Sequence, residues 1–367
     1  MGDAHRIGVV GLGVISRAYL DTLAGHSTVR VTAVADLDAS RSAAVAAELP
    51  GVQALSVEEL LSSPDVDTVL NLTVPAAHAE IALGAIAHGK NVYGEKPLTA
   101  ELTDAHAVLE AAAKAAVGVG CAPDTVLGTG VQTARAAVAA GAVGRPLFAS
   151  AVMVTPGHER WHPQPDFYYT AGGGPLLDMG PYYLSALVHL LGPVRAVIGA
   201  SSRLRSERVI GSGPRAGERI PVEVDSHVSG VLEHEGGVLT TLTTSFDGVA
   251  TTAAPIEVHG DRGTLTVPDP NNFHGDVRLL ELGEGDQGWR TLPPSAGYAG
   301  ATRGVGLVDF AAAEEQRTPR ASGELALHVL EMMTALLRSS AEGRRIELST
   351  SVERPAPVPL TPPEKWR

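Results

Sequence analysis

The sequence predicts an α/β protein: a doubly wound parallel sheet first, then an α+β half built largely of antiparallel strands. Three observations lead there. A glycine-rich turn, Gly11-Leu12-Gly13-Val14-Ile15-Ser16, joins an apolar run to a helical pattern near the N-terminus. Short apolar runs then alternate with helical patterns as far as Cys121, the arrangement that yields parallel strands with crossover helices. Beyond Gly144-Arg145-Pro146 the chain becomes strand-dominated, its runs separated by Gly-rich turns as in an antiparallel meander.

At 367 residues the chain exceeds the roughly 250 to 300 residues that one core usually organises, so two domains are expected. A net charge of −13 with a pI near 5.4 repels phosphate backbones and anionic lipid. Lys and Arg form no cluster, so nucleic acid and membrane surfaces are excluded as partners. The run Ile7 to Val10 is too short for a secretory core, and no later apolar run has membrane-spanning length. Gly2 is no myristoylation signal, since Arg6 stands where Ser or Thr is needed. One cysteine, Cys121, precludes an internal disulfide framework and fits a reducing compartment, so a cytoplasmic protein is expected.

Arg6 to Val10 reads as a buried strand, and the glycines after it allow a tight turn into a helix running to Leu23. Free N–H groups and the dipole at such a helix start favour an anion, here a pyrophosphate approached by Gly11, Gly13 and the backbone of Val14 and Ile15. A second strand, Val29 to Ala35, ends in Asp36, where a carboxylate would hold ribose hydroxyls and repel a 2′-phosphate. NAD is therefore expected, NADP less so. Ala39 to Glu48, Ala76 to His88 and Glu101 to Ala115 read as helices; Asp67 to Asn71, Asn91 to Gly94 and Val117 to Cys121 read as strands. Ligands of such sheets bind at the carboxyl ends of the strands, which is where Thr73 to His78 and Glu95-Lys96-Pro97 lie. Lys96 is one of only four lysines among 28 basic residues. A lysine can be tuned to release its proton where arginine cannot, so Lys96 is the leading candidate for chemistry.

Asp124 to Gly141 reads as a helix linking the domains, giving ranges of 1–124, 125–340 and a tail, 341–367. Strands are expected at Leu147 to Val154, Val194 to Ala200, Val222 to Leu232, Gly237 to Ser245, Ile256 to Gly260 and Thr264 to Val267. Val305 to Glu315 and Glu324 to Leu337 read as helices, the second with Leu325, Val329, Met332 and Leu336 on one stripe. His158-Glu159-Arg160-Trp161-His162 spells a zinc-protease pattern, yet Pro156-Gly157 before it and Pro163 and Pro165 after it forbid the helix that pattern needs. No metal is expected. In a chain of 4% aromatics, Trp161, His162, Phe167, Tyr168 and Tyr169 read instead as a loop over a substrate whose faces pack on rings. Gly172-Gly173-Gly174 allows a close backbone approach before a helix opened by Pro175. Asp178 and Tyr182, four apart, share a face of that helix, although Pro181 argues for a kink.

Gly11-x-Gly13, Asp36, Thr73 with His78, His88-Gly89-Lys90, Glu95-Lys96-Pro97 and Gly172 to Asp178 together resemble the glucose-fructose oxidoreductase and inositol dehydrogenase family, Gfo/Idh/MocA. The resemblance runs from the first strand to at least Glu342. It implies a Rossmann domain followed by a domain on a large, open, mostly antiparallel sheet, and NAD(P)-dependent oxidation or reduction of sugars and cyclitols. It further implies an active-site Lys96 with a Lys-Pro bond often cis, and cofactor contacts from Thr73, Pro75, His78 and Glu95. The family's usual Thr-Pro-Asn-x-x-His is here Thr73-Val74-Pro75-Ala76-Ala77-His78. Its usual Asp-x-Gly-x-His is here Asp178-Met179-Gly180-Pro181-Tyr182, so the chain resembles a tyrosine-type branch with lysine, aspartate and tyrosine as the catalytic set. A homodimer or homotetramer through the open sheet is the expected assembly.

A free tyrosine, with pKa about 10, is little ionised at neutral pH. The expected mechanism is that Lys96 lowers the pKa of Tyr182, which exchanges a proton with the substrate oxygen as hydride passes to or from nicotinamide C4. Asp178 would orient the substrate hydroxyl or Lys96, and Trp161, His162, Tyr168 and Arg303 would line the substrate. Two other readings stand beside it: an NAD-recycling glycosidase or lyase of the same fold, and a non-catalytic NAD sensor.

Overall fold

Strand β1 (His5–Val10) is buried from Ile7 to Val10, as an inner strand of a parallel sheet must be because both its faces are covered. It is followed by α1 (Ser16–Leu23), β2 (Val29–Ala35), α2 (Ala39–Glu48), β3 (Gln53–Ala54), α3 (Val57–Ser62), β4 (Thr68–Asn71), α4 (His78–Ala87), β5 (Asn91–Gly94), α5 (Leu102–Ala115) and β6 (Val119–Cys121). These strands form one parallel sheet in the order β3-β2-β1-β4-β5-β6. The order reverses between β1 and β4, which leaves a crevice outside their carboxyl ends. The computed structural model from which this is read describes residues 4–283, 288–313 and 319–367.

The rest of the chain comprises α6 (Thr129–Ala139), β7 (Pro146–Val154), α7 (Pro175–Leu191), β8 (Val194–Ser202), β9 (Glu207–Val209), β10 (Arg219–Pro221), β11 (His227–His234), β12 (Leu239–Ser245), β13 (Ile256–Gly260), β14 (Gly263–Val267), β15 (Val277–Glu281) and β16 (Arg290–Leu292). It closes with α8 (Val305–Ala311), α9 (Gly323–Glu342), β17 (Ile346–Glu347) and α10 (Pro363–Trp366). A nine-stranded sheet runs β16-β15-β14-β13-β7-β12-β11-β8-β17. Its pairings are antiparallel except β7 with β12.

Two compact units result. The first holds the stretch to Gly128 together with Tyr298–Leu327 and Val358–Arg367; the second holds Thr129–Gly297 and His328–Pro357. The contiguous ranges expected from sequence therefore give way to a chain that returns twice. The return is driven by long-range contacts that composition does not reveal. Leu307, Val308 and Phe310 are buried in one cluster with Ile7, Val9, Leu70 and Tyr93, each such side chain contributing on the order of 1.5–3 kcal/mol. Cys121 N–H donates to the Ala321 carbonyl and Ala299 N–H to that of Thr361. In the other direction, β17, which the sequence reading left in a tail, pairs with β8.

Local departures have local causes. The expected helix from Asp124 begins as a separate 3-10 turn, Asp124–Leu127, because the Asp124 carboxylate turns inward to accept the N–H groups of Gly304 and Gly306. Ala76 and Ala77 form a 3-10 turn with Pro75 before α4. The run Val222 to Leu232 is strand only from His227. The short β3 and the helix α3 were missed, although Ser56 and Glu59 form a capping box at the start of α3. Helix α8 ends at Ala311, short of the expected Glu315: Ala312 caps it and Ala313 is a bend, while Glu314 and Glu315 lie outside the described residues. The stripe Leu325, Val329, Met332 and Leu336 of α9 is buried throughout. Among the described residues no helix is long and apolar enough to cross a membrane.

Buried histidines make this fold sensitive to acid. His234 is fully buried between the Gly192 carbonyl and the Thr240 hydroxyl, and burial lowers its pKa to about 4. Burial lowers His78 and His328 as well. The unfolded chain takes up these protons near pH 6.5 while the folded chain does not, so the stability they contribute is complete above that pH and is lost as pH falls toward 4. Melting temperature should drop across that window, and a His234→Gln variant should show a shallower drop when melts are compared from pH 7 to 4.5.

Candidate active site

In the first unit the turn after β1 is shaped for close approach. Gly11 has φ +93°, and a Cβ there would lie 2.7 Å from the Leu72 carbonyl carbon and oxygen, where β4 ends beside β1. Gly13 by contrast faces open space, and Val14 is fully exposed. Ser16, in the place of a third glycine, is buried and donates its hydroxyl to the Gly13 carbonyl at 2.7 Å, which tightens the turn. No side chain caps α1 at Ile15, and the Ser16 and Ala18 N–H groups bond back to the Gly13 and Ile15 carbonyls at 3.1 Å; the dipole of such a helix start favours an anion. One oxygen of Asp36 accepts from Leu12 N–H at 2.7 Å and the other from Asp38 N–H at 3.0 Å. Asp38, not Asp36, caps α2. Asp36 therefore braces the turn from the carboxyl end of β2. A groove of about 570 Å³ opens beside Gly13 and Val14 and runs between α1 and α2; its lining leaves out Thr73, Glu95 and Lys96.

The ends of β4 and β5 carry the next candidates. Thr73 donates its hydroxyl to Asn71 Oδ1 at 2.6 Å, and Pro75 is exposed at the start of its turn. His78 is 2% exposed, with Nδ1 2.7 Å from the Pro97 carbonyl oxygen and Nε2 3.1 Å from that of Thr73. Its ring thus ties the two strand-end loops together and would act on a cofactor through Thr73 and Pro97. Lys96 is half-buried, and its bond to Pro97 is cis. Glu95 is held at both oxygens: the Tyr19 hydroxyl donates to Oε1 at 2.8 Å and Lys96 N–H to Oε2 at 3.0 Å. Tyr19 is fully buried, which raises its pKa well above the ordinary value and keeps it a donor. Arg303 is largely shielded, its side chain 19% exposed, and stands 3.8 Å from the buried Asp124. Burial raises Asp124 to about 6, opposed by the Arg303 charge.

In the second unit α7 continues as one helix through Pro181, so Asp178 and Tyr182, four apart, share one face. Pro175 opens the helix at its first turn, as read from sequence. Tyr182 is 7% exposed; Tyr183, rotated away, donates to Asp269 at 3.3 Å. The backbone that the triple glycine admits belongs to the aromatic loop itself. A Cβ on Gly173 would lie 2.5 Å from the Phe167 carbonyl oxygen, and Gly174 N–H donates to the Tyr168 carbonyl at 2.8 Å.

That loop is a cluster of rings. His162 lies 5.4 Å from Trp161 and Phe167, and Phe167 lies 4.0 Å from Tyr168. Trp161 and Phe167 are exposed, as a wall for a ligand requires. His158 to Arg160 form only a 3-10 turn, and His158 Nε2 lies 3.0 Å from Asp178 Oδ2. Among the described residues no group of His, Cys, Asp and Glu is arranged to hold a metal. Glu159 is buried, accepting from the Tyr169 hydroxyl and from Arg208 at 3.2 Å. Arg208, 3% exposed on β9, also donates to Asp247 at 2.5 Å and to the Phe246 and Pro156 carbonyls. Sequence reading missed this network and the His158–Asp178 pair, since nothing local announces a partner fifty or twenty residues away. Arg208→Leu would strand the buried Glu159 carboxylate and remove one partner of Asp247, and should lower stability by about 3–5 kcal/mol, read as a lower urea midpoint.

Comparison with known proteins agrees with the fold. Residues 5–122 match the model of an oxidoreductase family with an NAD-binding Rossmann fold, and residues 131–266 match the GFO/IDH/MocA C-terminal domain. A 1,5-anhydro-D-fructose reductase of Ensifer adhaerens is 30% identical over 95% of this chain and 100% of its own. A myo-inositol 2-dehydrogenase of Thermotoga maritima is 27% identical over 78% of this chain and 81% of its own. A crystal structure of an NAD binding oxidoreductase from Klebsiella pneumoniae superposes with a TM-score of 0.82, covering 95% of this chain and 100% of that one at 23% identity. With both family domains matched in order and a relative 30% identical along its whole length, the chain belongs to the Gfo/Idh/MocA family of NAD-binding oxidoreductases.

Proposed function

We propose that this protein is an NAD-dependent dehydrogenase or reductase of a secondary hydroxyl or ketone on a sugar, sugar derivative or cyclitol. The observation that carries the reading is the shared helical face of Asp178 and Tyr182 on α7, above a ring-lined loop, in a chain that also holds a half-buried Lys96 at a strand end. The names of the relatives, a reductase of an anhydrosugar and a dehydrogenase of inositol, support the substrate class.

NAD, when bound, supplies the hydride acceptor or donor. Gly11, Gly13, Val14 and Ile15 would hold its pyrophosphate, Asp36 its ribose, and Thr73, Pro75 and Glu95 its nicotinamide half, with His78 fixing their loops. In the oxidative direction the substrate carbon loses hydride and its hydroxyl proton passes to Tyr182; in the reductive direction Tyr182 returns a proton to the carbonyl oxygen. The Lys96 ammonium lowers the cost of the phenolate that this exchange needs. Asp178 orients the reacting hydroxyl, and Trp161, His162 and Tyr168 offer faces to the ring of the substrate. Arg303 contributes through the Asp124 turn.

We further propose a homodimer or homotetramer built on the open face of the nine-stranded sheet, in a cytoplasmic setting that suits a single buried cysteine. Phe148, Leu239 and Ile198 are 52%, 49% and 45% exposed there, with Leu239 directly opposite Phe148 and Val231 opposite Ile198. Exposed apolar patches of this kind mark contact surfaces.

Three measurements test these readings. A panel of sugars, sugar acids and cyclitols, followed by the absorbance of reduced nicotinamide, should find turnover with NAD above that with NADP. Lys96→Met and Tyr182→Phe should each lower kcat by about 10²–10⁴-fold; full turnover in Lys96→Met would remove the amine from the mechanism. Turnover without net NADH would favour cofactor recycling. Phe148→Glu should reduce the molar mass in light scattering toward that of a monomer.

A further inference from the structure

His158 belongs to no role described so far. Its Nε2 lies 3.0 Å from Asp178 Oδ2, and both side chains are mostly shielded, 12% and 17% exposed. The ring is held from several sides: Tyr168 and Phe246 each lie 4.5 Å away and Trp161 5.3 Å. Its backbone is also fixed, because the next residue, Glu159, is locked into the buried network of Arg208 and Tyr169. His158 carbonyl oxygen accepts from Trp161 and His162 N–H groups at 3.2 and 2.9 Å. An imidazole so confined presents one nitrogen in one place. Against a carboxylate that nitrogen carries the proton and donates.

We infer that His158 is a positioning residue for the reaction: it fixes the rotation of the Asp178 carboxylate and couples that carboxylate to the aromatic wall. A carboxylate oxygen that accepts from a ring held this rigidly takes its direction from that ring, and a misplacement of about 1 Å near reacting atoms can cost a hundredfold in rate. The donor from His158 selects one orientation and makes Asp178 a directed acceptor. Because the same ring touches Tyr168 and Trp161, the orientation of the carboxylate is set against the rings expected to face a sugar. This inference rests on the proposed role of Asp178.

Its test uses the full-length protein, NAD and whichever compound of the panel is turned over fastest. Glutamine can place an amide N–H where Nε2 stands, whereas asparagine is too short to reach Asp178. His158→Gln should therefore keep kcat within about threefold and His158→Asn should lose about ten- to a hundredfold, with NAD affinity unchanged in both. In an Asp178→Asn background the His158→Asn change should add little, since the two act as one unit. If His158→Asn keeps full turnover while Asp178→Asn loses it, or if the two losses multiply, the positioning role is overturned and the parent reading stands. If Asp178→Asn itself keeps full turnover, both fall. Melting curves of the two His158 variants, expected to agree within a few degrees, separate a positioning loss from a folding loss.

Discussion

The first unit depends on how closely two strand ends approach each other. Gly11 and the Leu72–Thr73 peptide meet at a distance that no side chain permits, and the surrounding features follow from that contact. With the turn drawn in, Asp36 reaches Leu12 N–H, the first turn of α1 is left without a side-chain cap, and the next glycine opens to solvent. A helix start without a side-chain cap and a carboxylate held at the end of β2 thus arise from one steric condition. Repulsion from Asp36 disfavours an added phosphate at the same place.

The second unit solves a different problem, that of holding an exposed aromatic loop still. Rings that face solvent gain nothing from burial, so the loop is anchored beneath by charge. Arg208 on β9 bridges the buried Glu159 and the partly exposed Asp247, and its guanidinium lies 5.4 Å from the Tyr169 ring centre. Buried ion pairs are weak sources of net stability but severe when broken. Here their effect is to give the loop one conformation, reinforced by the contact of Gly173 with the backbone at Phe167 and Tyr168.

Chemistry at a carbinol carbon needs a group able to gain and lose a proton near neutrality. Arginine cannot do so and an isolated tyrosine does so only near pH 10. The spareness of lysine in this chain makes the placement of Lys96 informative. Its backbone is fixed by Glu95, whose carboxylate is itself held by a phenol that burial keeps neutral. On α7 the pair Asp178 and Tyr182 is spaced by one helical turn, and a helix that continues through Pro181 preserves that spacing.

What the sequence by itself determined is local. Strand and helix periodicity, the glycine turn with its carboxylate after β2, the strand-end lysine and the helical spacing of Asp178 and Tyr182 are all written within a few residues of one another. The parallel first sheet and the strand-rich second half were legible for that reason, as was the failure of His158 to His162 to form a zinc-binding helix. Only the tertiary structure decided which distant groups meet. That Asp36 turns to Leu12 N–H, that residues 298–327 return to the first unit, and that His158 turns to Asp178 while Glu159 turns to Arg208 depend on contacts between segments far apart in the chain. Such contacts are selected by the packing of the whole fold, and hydrophobic periodicity carries no record of them.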